Sequence, residues 1–164
     1  MDERKEIKVG IAEWQVARAP FRLVTLGLGS CVGIAVYDPK NLLGGLAHIM
    51  LPDSTQFPNG DRRAKFADLA LLDMINTLLR RGAKEGCLLA KIAGGAQMFS
   101  SPDKKLPLLN IGERNTAMVK HKLQELGIPL VASDTGGNYG RTMIFDLLTG
   151  QVYIRSIGRP LKII

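Results

Sequence analysis

The chain reads as an α+β protein: a layered α/β sandwich of mixed, largely antiparallel strands covered by two main helices. Three observations predict this. Strand-like segments dominate, and several are joined directly by short turns, which a purely parallel βαβ sheet does not allow. Two stretches carry the helical apolar period, around residues 64–81 and 113–126. No internal repeat or linker-like tract interrupts the 164 residues, so residues 1–164 are expected to form one domain.

Taken in order, residues 5–18 alternate apolar and polar positions. Ile7, Val9 and Ile11 lie in one phase and Trp14 and Val16 in the other, so a bulge or tight turn is expected near Ala12. Pro20 ends that segment, Phe21–Leu26 is a short strand, and Gly27–Ser30 is a loop. Cys31–Tyr37 and Leu42–Met50 are both strand-like. Asp38-Pro39-Lys40-Asn41 between them suits a tight turn with Pro39 at its second position. Leu51–Gly60, with Pro52, Pro58 and Gly60, is a loop. Ala64–Arg81 is the clearest helix, with Phe66, Leu69, Ala70, Leu72, Ile75, Leu78 and Leu79 at helical spacing. Arg80 and Arg81 suit its last turn, and Gly82 stops it. Leu88–Ala93 follows as a buried strand and residues 100–110 as a loop. A second helix runs from Glu113 to Leu126, with Ala117, Met118, Leu123 and Leu126 as its apolar positions and Gly127 as its stop. Ile128–Ala132, Thr142–Leu147 and Gln151–Ile157 complete a set of about eight strands, with a loop at Asp134–Arg141 and a turn at Thr149-Gly150.

Composition narrows the function. The net charge of +7 fits a basic but ordinary surface, with an acidic partner as the sharper alternative; there is no long Lys/Arg run and aromatics are 5%, so nucleic acid is not expected. No apolar run approaches the ~18 residues of a spanning helix, and the charged Met1–Glu6 lacks a signal-peptide core. A cytoplasmic protein without membrane insertion is expected. Two cysteines, Cys31 and Cys87, with no Cys-x-x-Cys, give neither a disulfide framework nor a zinc motif. Both are expected as free thiols, with no metal or cofactor.

The stretch Thr25–His48 holds one of the two cysteines and one of the two histidines. If Asp38–Asn41 closes the hairpin symmetrically, Cys31 lies directly opposite His48, with Cβ atoms about 5 Å apart. A slip of one residue would put them on opposite faces. A thiol with an imidazole in reach is the minimum of a cysteine nucleophile, and Cys31 would then label below the free-thiol pKa. Thr25, six residues before Cys31, would as a functional residue orient the ring through its hydroxyl or carbonyl oxygen, the third role in triad logic, although its spacing alone does not single it out. The plainer alternatives are a small buried hydrophobe at Cys31, a core histidine at His48 and strand packing at Thr25. Gly27-x-Gly29 is not a dinucleotide fingerprint, since Val32 takes the third glycine position and no helix follows. Gly29-x-Cys31-x-Gly33 has the spacing of a nucleophile elbow but lacks the helix after it. Asp134 is a loop cap or an acid partner for His48, Cys87 is structural, and His121 sits on a solvated helix face. Gly94-Gly95 and Gly136-Gly137 mark sharp bends or close backbone approach.

Thr25-Leu-Gly-Leu-Gly-Ser-Cys31, Gly44-Gly-Leu-Ala-His48, Lys91-Ile-Ala-Gly-Gly-Ala-Gln-Met-Phe99, Ile111-Gly-Glu-Arg-Asn115, Asp134-Thr-Gly-Gly-Asn-Tyr-Gly-Arg141 and Thr149-Gly150, in this order, resemble the CheD family of chemoreceptor glutamine deamidases. One departure is Ile92-Ala93, where the family has a bulkier Phe before the glycine pair. The resemblance implies a Cys-His-Thr triad on Cys31, His48 and Thr25. It implies a fold similar to the catalytic domain of cytotoxic necrotizing factor toxins. It also implies glutamine-to-glutamate conversion on methyl-accepting chemotaxis receptors through a cysteine thioester, and the CheC phosphatase as a partner. Such chemistry needs an oxyanion site, for which the backbone N–H groups of Leu28, Gly29 and Ser30 are the candidates. Two other readings stand beside it: a binding module for CheC in which the thiol is secondary, and a cysteine hydrolase of small esters or amides.

Overall fold

The computed structural model describes residues 5–57, 62–98 and 110–164; the expected loop at 100–110 and the end of the Leu51–Gly60 loop fall mostly outside them. The strands are β1 (Glu6–Lys8), β2 (Glu13–Arg18), β3 (Arg22–Leu28), β4 (Val32–Asp38), β5 (Leu43–Ile49), β6 (Leu89–Gly94), β7 (Leu130–Thr135), β8 (Arg141–Asp146), β9 (Val152–Arg155) and β10 (Lys162–Ile163). The helices are α1 (Ala67–Arg80) and α2 (Ile111–Glu125). They form two five-stranded sheets, ordered β1-β3-β8-β9-β10 and β2-β5-β4-β6-β7. Pairing is antiparallel except for β1 with β3 and β6 with β7. The α+β expectation holds, as a sheet-on-sheet-on-helix stack. No helix among the described residues is long and apolar enough to cross a membrane.

The period of β4 explains the layering. Val32, Ile34 and Val36 pack into a core shared with Ala70, Leu71, Met74 and Leu78 of α1 and Val119 and Leu123 of α2. Ala35 and Tyr37 point the other way, into a core between the sheets built with Leu23, Leu28, Leu46, Met143 and Phe145. A strand covered on both faces reads as a continuous apolar run, as Val32–Val36 does. Ile92 and Ala93 are fully buried in the neighbouring β6, so the departure from the family's Phe is accommodated without exposure.

Several elements differ from expectation. The turn near Ala12 is present, with Ala12 in the left-handed region at φ 59°. β3 runs on to Leu28 because a bulge between Thr25 and Leu28 absorbs extra residues on that strand, with Gly27 at φ 72°, and pairing resumes at Leu28 opposite Arg141. The start of the first expected helix is instead a short 3-10 turn, Arg63–Lys65. In α1 Leu71 and Met74 are buried while Leu72 is exposed. In α2 the buried face is Gly112, Asn115, Val119 and Leu123, and Ala117 lies outside it. β10 was not visible in the sequence: two exposed residues carry no alternation to read. Asp134 closes β7 instead of lying in a loop.

Candidate active site

The β4–β5 hairpin places the candidate nucleophile and base, in a register different from the symmetric one. Asp38 pairs with Leu43, Gly33 with His48 and Val32 with Ile49. The loop is therefore Pro39–Leu42. The Asp38 carboxylate accepts from the Lys40 and Asn41 N–H groups at 2.9 and 3.2 Å and from Asn41 Nδ2 at 2.7 Å, and Leu42 turns the chain at φ 51°. Cys31 thus stands opposite Met50 by continuation of the ladder, and His48 faces Gly33. The shift is two residues, so parity survives: Cys31 and His48 are diagonal neighbours on one face. Diagonal Cβ atoms typically lie about 7 Å apart. That face is the inner one, since Cys31 packs against the inter-sheet core and a Cβ on Gly33 would meet Met143 and Leu28.

His48 is fully buried. Its Nδ1 lies 2.7 Å from Thr25 Oγ1, which reaches it from β3 in the opposing sheet. The same Thr25 hydroxyl lies 2.7 Å from the Val9 carbonyl oxygen, which can only accept. The hydroxyl proton is committed there, so Thr25 accepts from Nδ1–H. This fixes the tautomer and leaves Nε2 unprotonated. Nε2 is buried and has no hydrogen-bond partner among the described residues. Burial lowers the His48 pKa to about 4, so the ring is neutral near pH 7. Thr25, itself buried, acts as the ring's orienter through its hydroxyl oxygen.

Cys31 is half-buried, and burial raises its thiol pKa against a smaller opposing effect of its own backbone N–H. With Nε2 unpartnered, the resting pair is thiol and imidazole, each neutral, and not a thiolate–imidazolium pair. This revises the expectation of easy labelling. Alkylation of Cys31 in the free protein is expected to be slow at pH 7 and to rise along a titration above the ordinary thiol value near 8.5. Peptide-resolved alkylation rates across pH test this, and rapid labelling at pH 6 would contradict it.

The backbone around Cys31 is tied on its carbonyl side. Gly95 N–H donates to the Cys31 carbonyl and Ala96 N–H to the Gly29 carbonyl, both at 2.9 Å. Asn115 Nδ2 donates to the Ser30 carbonyl at 2.9 Å. Of the loop candidates, Leu28 belongs to β3 and buries its side chain completely, and Gly29 N–H donates to the Gly27 carbonyl at 3.1 Å. The N–H groups of Ser30 and Cys31 meet no backbone acceptor among the described residues. Gly94, at φ 109°, lets β6 pass this close: a Cβ there would land on the Cys31 carbonyl oxygen. Gly94→Ala is expected to cost about 2 kcal/mol or more, from strain at positive φ together with the clash. Urea denaturation reads this as a lower midpoint.

The remaining candidates lie elsewhere. Asp134 accepts from Arg141 at 3.1 Å and Lys162 at 2.9 Å, an ion-pair cluster that makes no hydrogen bond to His48. Cys87 ends a 3-10 turn, Glu85–Cys87. His121 is exposed on α2, 3.7 Å from Glu125. A cleft of about 390 Å³ lies beside Gly95, lined also by Gln97, Asn110, Glu113, Thr116 and Lys120. Two buried supports escaped sequence reasoning. Arg141 donates to the Gly94 and Gly136 carbonyls at 3.4 and 2.9 Å. Asn115 falls on the buried face of α2, and a polar residue in an otherwise apolar stripe was the available signal.

A family profile described as CheD chemotactic sensory transduction matches residues 50–156. Proteins named "Probable chemoreceptor glutamine deamidase CheD" align over nearly the whole chain. That of Moorella thermoacetica is 72% identical over 160 residues, covering 98% of this chain and 96% of its own. That of Desulforamulus reducens is 58% identical over 159 residues, covering 97% and 95%. That of Clostridium botulinum strain Hall is 54% identical over 158 residues, covering 96% and 97%. A solved structure, the hypothetical protein YfiH of Bacillus licheniformis, matches at TM-score 0.44 and 18% identity, over 74% of this chain and 49% of its own.

Proposed function

This chain belongs to the CheD family, and from that premise we propose that it is a cysteine-dependent protein-glutamine deamidase acting on methyl-accepting chemotaxis receptors. Residues 1–164 act as one deamidase domain. The observation that carries this reading is the fixed tautomer of buried His48, whose unpartnered Nε2 belongs to the same strand face as Cys31. A buried basic nitrogen without a partner costs stability, and a catalytic use is a reason to retain it.

The steps follow from the neutral resting pair. A receptor glutamine presents its carboxamide carbon to Cys31 Sγ. As the S–C bond forms, the thiol proton passes to His48 Nε2, and negative charge develops on the carboxamide oxygen. The Ser30 and Cys31 N–H groups are the donors suited to that oxygen, since the carbonyls of the same two peptide planes, those of Gly29 and Ser30, are held back by Ala96 and Asn115. The C–N bond then breaks, His48 returns the proton to nitrogen, and ammonia leaves. Water attacks the thioester with His48 as base, glutamate forms, and the thiol is restored. Thr25 stabilises the transient imidazolium by accepting from Nδ1–H and keeps the ring from turning over.

The test uses a purified cytoplasmic receptor fragment. The expected result is ammonia release equal to the glutamate formed, read by peptide mass spectrometry. A folded protein that converts no receptor glutamine and releases no ammonia would overturn the assignment.

A further inference from the structure

We propose that Asn115 is a positioning residue for Cys31: its side-chain amide closes the open end of the β4–β5 hairpin and holds the Ser30–Cys31 peptide in its reactive orientation. The inference rests on the deamidase reading of the Cys31 site and adds a residue to it.

The backbone ladder between β4 and β5 ends at Val32 and Ile49, so Cys31 and Met50 are the first pair beyond it. Beyond it the Cys31 carbonyl turns to Gly95 N–H and the Met50 N–H to the Lys65 carbonyl, so the two strands are held by outside neighbours and not by each other where the nucleophile sits. Asn115, fully buried, reaches this gap from the inner face of α2. Its Nδ2 donates to the Ser30 carbonyl at 2.9 Å and to the Met50 carbonyl at 3.0 Å. One residue before the nucleophile is thereby tied to the residue two past the base, through both hydrogens of one amide. Asn Nδ2 is suited to this because it carries two donors in one plane. The helix is held close enough for the purpose: a Cβ on Gly112 would fall on the Gly95 and Ala96 carbonyl oxygens, so α2 lies directly on the segment whose N–H groups hold Cys31 and Gly29. The carbonyls of Gly29, Ser30 and Cys31 are thus all anchored to α2 or to the end of β6. That anchoring directs the Ser30 and Cys31 N–H groups to the opposite side, where the carboxamide oxygen is to be received.

The experiment compares wild type, Asn115→Ala and Asn115→Ser. Receptor-fragment deamidation gives kcat and KM, and peptide-resolved alkylation gives the Cys31 to Cys87 rate ratio. With the tie removed, kcat of Asn115→Ala is expected to fall about 10- to 100-fold with KM little changed, as for loss of orientation at a reacting atom. The Cys31 to Cys87 alkylation ratio is expected to rise several-fold as the loop loosens. Asn115→Ser, which restores one donor, recovers part of both. An unchanged kcat together with an unchanged ratio overturns the proposal. Equal acceleration at both cysteines in both variants, with a lost cooperative melt, also overturns it, because Asn115 would then serve the fold as a whole. If wild type deamidates nothing, the function fails, while the alkylation ratio still decides whether Asn115 positions Cys31.

Discussion

Cys31→Ala is expected to lower receptor glutamine conversion by at least about a thousandfold, since removal of a covalent nucleophile leaves binding and oxyanion contacts with nothing to activate. Folding should survive. Cys31 is half-buried, and deleting one sulfur there costs about 1 kcal/mol of burial. The melting temperature should therefore stay within a few degrees of wild type. Cys87→Ala is the matched control: its thiol belongs to a 3-10 turn outside the site, so activity should remain at the wild-type level. Paired deamidation rates and thermal melts check both statements. A Cys31→Ala protein that keeps wild-type turnover would refute the nucleophile assignment.

His48→Gln carries the second large effect, on rate and on the pH dependence of stability. Loss of the general base should slow conversion about 10²- to 10⁴-fold. The stability effect follows from linkage. In the folded protein burial holds the His48 pKa at about 4, whereas the unfolded ring titrates near its ordinary 6.5. Above pH 6.5 both states are neutral and the shift costs nothing. As pH falls from about 6.5 towards 4, the unfolded chain takes up a proton that the folded protein refuses. Wild type therefore loses stability across that window, by about 3 kcal/mol in all, and the loss levels off below pH 4. His48→Gln removes this component, so its urea midpoint should fall less steeply between pH 6.5 and 4 than that of wild type. Identical slopes would mean that the ring is protonated in the folded state.

The hairpin shows how far a sequence of this kind can be read. Two strands, a turn at Asp38–Asn41 and a shared face for Cys31 and His48 were all legible, because alternation and turn residues encode them locally. The register was not. The Asp38 carboxylate gathers the Lys40 and Asn41 N–H groups, and Leu42 adopts a left-handed conformation that a β-branched or long apolar residue rarely takes. Nothing in the sequence signals that choice. The shared face was kept, though not the direct pairing, because the error was an even number of residues, which moves a partner along a face without changing the face. Thr25 is a different case. Its spacing from Cys31 carried no information, and the family resemblance alone promoted it. The structure supplies a contact that no spacing shows: the Val9 carbonyl takes the Thr25 proton, so Thr25 accepts from His48 Nδ1–H and Nε2 is left unprotonated. That contact joins β3 to the chain just after β1, a tertiary fact beyond any local pattern. The α2 face was legible in part: Leu123 is buried and Met118 and Leu126 pack against the core, while Ala117 is exposed. Its buried stripe begins with Gly112 and Asn115, neither of which counts as apolar when periodicity is scored.

In the proposed reaction a glutamine carboxamide becomes a thioester on Cys31. Acid quenching of enzyme mixed with excess receptor peptide, followed by mass spectrometry of the intact protein and its digest, tests it most directly. The expected species has the mass of enzyme plus peptide less ammonia, maps to Cys31 and is absent from Cys31→Ala. An adduct mapped to Cys87, or glutamine conversion that continues without Cys31, would contradict it.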